Sequence, residues 1–146
     1  MPLLVDGDNL LGTWRDRTRS DDNKSQLSFT LARYAKNRRQ RLIVFFDGTR
    51  ASGVGYAGEV RFSGRGRSAD DAILELLRGE REPQGWTVIT SDRPLADRCR
   101  HLGARIERSD QFRKRLVADA DASGDEKPSS ESDVDYWLEQ FGGDDE

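Results

Sequence analysis

The sequence is poor in the residues that build covalent cross-links or soft-metal sites: its 146 positions include one cysteine, Cys99, and one histidine, His101. A lone thiol makes no internal disulfide, and one thiol with one imidazole excludes zinc centres built from thiolates and imidazoles. Long apolar runs are missing as well. None approaches the roughly 20 residues needed to cross a bilayer, and the chain opens directly on the short stretch Met1-Pro2-Leu3-Leu4-Val5. The expectation is a cytoplasmic protein of one-domain length, without a membrane span or secretory signal.

Charge is plentiful, at 35% of positions. The net charge of −3 conceals two unlike pieces. Residues 121–146 hold ten acids against Lys127 alone, −9, which leaves residues 1–120 at +6. A moderately basic body suits nucleic acid, although many ordinary soluble surfaces carry as much.

Short β-branched or apolar runs alternate with helical patterns, which predicts an α/β fold on a parallel sheet. Strands are expected at Leu3–Asp6, Leu42–Phe46, Glu59–Phe62, 86–90 and 104–107. A polar loop over 15–22 leads to a helix with Leu27, Leu31, Tyr34 and Ala35 on one face. A glycine-rich stretch over 48–66 precedes a helix that starts at Ser68 and carries Ile73, Leu76 and Leu77. Arg93-Pro94 opens a helix with Leu95, Cys99 and Leu102 in phase, closed by Gly103, and Phe112, Leu116 and Val117 line the last helix of the body. From 121 to 132 the composition predicts a flexible acidic linker. Within 133–146, Val134, Trp137, Leu138 and Phe141 share one face of a short amphipathic helix that stops at Gly142. That tethered helix is expected to dock on the body, as an autoinhibitory element, or on a protein partner.

Ligands of open parallel sheets bind outside the carboxyl ends of the strands. Asp6, Asp47 and Asp92 follow strands, and Asp70 and Asp71 begin a helix at the same rim. Converging carboxylates repel one another unless a cation neutralises them, and an oxygen-only site suits Mg²⁺ or Mn²⁺. Such an ion lowers the pKa of a bound water and stabilises charge on a phosphoryl oxygen, so phosphate chemistry is the coherent option.

Each acid also has a plainer role. Asp71, three residues after Ser68, fits a capping box, and Asp70 suits the helix dipole. Asp92, two before Pro94, fits an N-cap, and Asp47-Gly48 fits a turn. The signal is their joint placement at one edge of one sheet. Arg65 and Arg67, spaced by glycines just before Asp70, are candidates to hold phosphates. Trp14 either stacks on a base or covers the core. Cys99 reads as core, His101 as a surface residue near a helix end, and Asp97 as a solvated partner of Arg93 and Arg98.

Four blocks resemble the NYN-domain proteins, in particular the YacP-like branch of the PIN-like nuclease superfamily. They are Val5-Asp6-Gly7-Asp8-Asn9-Leu10, Val44-Phe45-Phe46-Asp47-Gly48, Val60-Arg61-Phe62-Ser63 with Ser68-Ala69-Asp70-Asp71-Ala72-Ile73, and Val88-Ile89-Thr90-Ser91-Asp92-Arg93. The resemblance implies a PIN-like three-layer α/β/α fold with a central parallel sheet over residues 1–120. It also implies metal-dependent endoribonuclease activity, in related proteins linked to ribosomes and mRNA. Carried over by motif, Asp6, Asp70 and Asp92 would hold Mg²⁺ or Mn²⁺, Asn9 would orient the site, and Asp47 or Asp71 would be a secondary member. Arg65, Arg67 and Arg93 would then hold the RNA backbone.

One position departs from the pattern. The family commonly has tyrosine where this chain has Asp8, an extra acid that either enlarges the metal site or points to solvent. Two rival functions remain. Asp6-Gly7-Asp8 and Asp70-Asp71 imitate the acidic pairs of haloacid-dehalogenase-type phosphatases, although Asn9-Leu10 lacks the usual hydroxyl pattern and no lysine follows Thr90 before an acidic pair. The other rival is a PIN-like module that binds RNA or ribosomes without cutting.

Overall fold

Leu3–Asp6 (β1) is buried along its whole length, as expected of a strand covered on both faces. It lies at the centre of a five-stranded sheet in the computed structural model, which describes residues 1–15 and 18–126. The expected helix within 133–146 falls outside the described residues. Leu42–Phe46 (β2) pairs with one side of β1 and Thr87–Ile89 (β4) with the other, while Glu59–Phe62 (β3) and Arg105–Glu107 (β5) form the edges. The order is β3-β2-β1-β4-β5, and every pairing is parallel. Strand order reverses between β1 and β4, and that is where an open α/β sheet leaves its ligand crevice.

Side chains alternate across the strands and build two cores. Leu3, Val5, Val44, Phe46 and Ile89 meet Asp21–Arg38 (α2) and Ser109–Glu126 (α5) through Leu27, Leu31, Tyr34, Phe112 and Leu116. On the opposite face Leu4, Ile43, Phe45 and Val88 meet Ala69–Arg78 (α3) and Arg93–His101 (α4) through Ile73, Leu74, Leu77, Leu95 and Cys99. The result is three layers, helices on both faces of a parallel sheet. Trp14 is 1% exposed and belongs to the first core, so its ring covers apolar residues and is not a stacking platform.

Helix starts follow the local chemistry. Ser20 caps α2 by accepting the Asn23 N–H at 3.2 Å. Ser68 and Asp71 form the full capping box of α3, each accepting the other's backbone N–H. Asp92 caps α4 by accepting the Leu95 N–H at 3.2 Å. The strands at β4 and β5 are shorter than expected. Trp86 still serves the preceding Pro83–Gly85 turn, donating its N–H to the Pro83 carbonyl, and Ala104 still serves the end of α4, donating its N–H to the Cys99 carbonyl. Helix α5 continues to Glu126, past residue 121.

A short helix, Gly7–Leu11 (α1), follows β1 with no intervening loop, and periodicity gave no sign of it. This turn requires glycine at position 7. A Cβ there would lie 2.4 Å from the Phe46 ring and 2.8 Å from the Phe45 carbonyl oxygen, so β2 would have to move. Replacing Gly7 with alanine is expected to cost about 1–3 kcal/mol of stability, the scale of overpacking, measured by urea unfolding. An unchanged midpoint would show that β2 yields without cost.

Candidate active site

The residues at the carboxyl ends of β1, β2 and β4 are joined by side-chain contacts. Asp6 ends β1 on the face shared with Leu4, towards α3 and α4. It is 5% exposed, and its Oδ2 accepts the Thr90 hydroxyl at 3.0 Å. That hydroxyl oxygen also accepts the Asp92 N–H at 3.1 Å, so Thr90 fixes two of the acids in relation to each other.

Asp6 lies where charge is disfavoured. Burial pushes its carboxyl up to about 7, against the lowering effect of the Thr90 hydroxyl, and the charges of Asp70, Asp8 and Asp47 add to the rise. Asp70, in the first turn of α3, is raised by burial and then by Asp92, Asp47 and Asp71, with Arg98 opposing. Behind them, burial pushes the Cys99 thiol up to about 12, and Asp70 and Asp6 push the same way. It stays a neutral thiol, as a core residue should.

The remaining acids serve as local anchors. Asp47 Oδ1 accepts the Ala69 N–H at 2.6 Å, joining the end of β2 to the start of α3. Asp71 is exposed and engaged in the capping box, and Asp92 in its own cap. Asn9 Oδ1 accepts both the Ser91 N–H at 2.8 Å and the Ser109 hydroxyl at 2.6 Å, which ties α1 to the loop after β4 and to the start of α5. Asp8 does not point to solvent. It is 5% exposed and pairs with Lys24 of α2 at 3.6 Å, and burial raises its carboxyl against the opposing Asp47 N–H, Lys24 and Arg19.

The basic candidates sit on the outside. Arg65 and Arg67 lie on the loop between β3 and α3, where Gly64 and Gly66 have φ of +88° and +73°. Ser63 closes that loop, accepting the Gly48 N–H at 3.1 Å and donating to the Arg67 carbonyl at 2.7 Å. Arg67 is exposed and paired with Glu75, Arg65 is exposed, and Arg93 is exposed at the first position of α4. Sequence reasoning missed Lys24, Ser91 and Ser109. Lys24 is hidden in the polar run Asp21-Asp22-Asn23-Lys24-Ser25, and isolated serines carry no pattern.

All side-chain donors at this rim are oxygens, which suits Mg²⁺ or Mn²⁺. Among the described residues no three acidic, histidine or cysteine side chains are grouped closely enough to hold a metal between them. The arrangement fits an ion held by one or two carboxylates with water elsewhere, as Mg²⁺ commonly is. The charge of Asp70 adds to the cost of ionising Asp6, and such a cation would relieve that cost.

A native carboxyl at about 7 against 3.8 in a free side chain holds its proton more tightly in the folded state. The stability it contributes is complete below about 3.8 and is lost as pH rises through about 7. In EDTA at about pH 8, Asp6→Asn is therefore expected to be more stable than the parent by on the order of a few kcal/mol. The gap should close as the pH falls towards about 4. Thermal melts across that range check it, and equal Tm values at the alkaline end would contradict a strained Asp6 charge.

The YacP-like NYN domain model matches residues 3–139. No match was found among curated proteins. Among solved structures the chain is similar to Rae1 (YacP) from Bacillus subtilis, at 23% identity over 97% of this chain and 92% of that chain, TM-score 0.59. A mutant form of the same protein gives 24% identity over 81% and 75%, with a TM-score of 0.67. Those likenesses carry the fold, and among the described residues no helix is long and apolar enough to cross a membrane. The chain belongs to the YacP-like NYN domain family, a PIN-like nuclease family.

Proposed function

We propose that this protein is a metal-dependent endoribonuclease that hydrolyses RNA phosphodiester bonds, with mRNA at the ribosome as its setting. The observation that carries the proposal is the buried carboxylate of Asp6, linked through the Thr90 hydroxyl to the Asp92 backbone beside the β1–β4 switch point of a nuclease-family sheet, with the charge of Asp70 acting on it. Asp6 and Asp70 would hold the Mg²⁺ or Mn²⁺, and Asp92 lies in the same field, through its charge on Asp70. When bound, the ion supplies a Lewis acid that lowers the pKa of water and neutralises charge developing on a phosphoryl oxygen.

The chain's own residues orient and bind. Thr90 donates to Asp6 Oδ2 and orients that carboxylate. Asn9 holds the loop that carries Asp92. Arg65 and Arg93, and Arg67 when Glu75 releases it, hold the phosphate backbone along the rim. The phosphatase reading is weakened by Asp8, whose carboxylate accepts the Asp47 N–H and pairs with Lys24.

Purified protein is expected to cut labelled RNA internally with Mn²⁺ and to stop in EDTA. Asp6→Asn should lose about 100-fold or more of that activity, the usual scale for a residue acting at the reacting centre. Undiminished cutting by Asp6→Asn would overturn the site. Salt-dependent RNA binding with no cutting would make the protein a binding module. Phosphate released from small phosphomonoesters would instead favour the phosphatase.

A further inference from the structure

Asp8 is the residue for which the family pattern offers no role. Its two oxygens face different groups of the chain. Oδ2 accepts the Asp47 N–H at 2.7 Å, and Oδ1, buried and without a hydrogen bond, faces Lys24 Nζ at 3.6 Å. Lys24 in turn donates to the Asp47 carbonyl at 3.3 Å, and its ammonium lies 5.5 Å from the centre of the Phe46 ring. One oppositely charged pair thus holds both the N–H and the C=O of a single residue. The Asp47 side chain carries that constraint onward, because its Oδ1 accepts the N–H of Ala69, the first residue of α3. Asp70 is the next residue along.

We propose that Asp8 and Lys24 form a positioning clamp that fixes Asp47 and, through it, the start of α3 and the carboxylate of Asp70. Oδ2 is taken by the Asp47 N–H and Oδ1 faces the Lys24 ammonium, an arrangement that suits positioning of the Asp47 backbone. Asn9, the next residue of α1, performs the matching task on the other side by holding Ser91. Adjacent residues of one short helix therefore anchor the loops after β2 and β4, one on each side of Asp6. That Asp70 must be held in place for metal binding rests on the nuclease reading; the clamp itself rests only on the contacts.

The test uses the full chain, metal-free, with amide hydrogen exchange at Asp47, Ala69 and Asp70, and then Mn²⁺ titration by calorimetry. Asp8→Ala and Lys24→Met are each expected to speed exchange at Asp47 and Ala69 by about tenfold or more, the scale of a lost charged hydrogen bond, with the Ser91 amide unchanged. The neutral pair Asp8→Asn with Lys24→Gln keeps an acceptor and a donor. It should keep both the slow exchange and, to within about threefold, the Mn²⁺ affinity, because it avoids a lone buried charge. If Asp8→Ala does not fold, Lys24→Met and the neutral pair still decide the matter.

Unchanged exchange at Ala69 in the single variants would overturn the clamp. So would a neutral pair that keeps slow exchange yet loses Mn²⁺ as completely as Asp6→Asn, since Asp8 would then be a ligand. If no form binds Mn²⁺, the metal reading fails and the exchange data alone judge the clamp.

Discussion

A carboxyl group at the buried end of the central strand is the constraint on which this rim depends. Asp6 pairs in register with Phe45 of β2, beside a strand that is itself buried throughout. Water is largely excluded there, and three neighbouring acids add repulsion to the cost of desolvation. One hydroxyl, from Thr90, works in the opposite direction. A charge in that position persists only if the surrounding chain is held firmly enough not to relax away from it.

The structure supplies that firmness from the residues next to Asp6. Gly7 lets β1 pass directly into α1 against the Phe46 ring. Asn9 reaches the β4 side and the start of α5, while Asp8 reaches the β2 side. The polar groups of the rim then divide by face. Asp6 lies on the side of α3 and α4, whose first turn and N-cap carry Asp70 and Asp92, and the Asp8–Lys24 pair lies towards α2, with Asp47 bridging between them. An acidic centre flanked by exposed arginines at Arg65 and Arg93 is an arrangement suited to a polyanion approaching a cation.

Much of this was legible in the sequence because the signals were local and physical. Apolar runs marked β1 and β2 with their observed bounds, and Ser68 with Asp71 announced the start of α3. The rim position of the acids followed from strand ends for Asp6, Asp47 and Asp92 and from a helix start for Asp70 and Asp71. Other features were not legible. Helix α1 spans only Gly7–Leu11 and is too short to show a period. Lys24, Ser91 and Ser109 matter through partners tens of residues away, such as the Asn9–Ser109 bond, and no local pattern encodes such pairings. For Asp8, residue type alone left two readings open, and burial beside Lys24 removed the solvent-facing one.

Anomalous scattering from crystals of the full chain soaked in Mn²⁺ tests the central claim most directly. The account predicts a peak in bonding contact with the carboxylates of Asp6 and Asp70, with water completing the coordination. It also predicts that Asp8 stays on the Asp47 N–H. A peak coordinated by Asp8, or an ordered rim without manganese at saturating concentration, would contradict it.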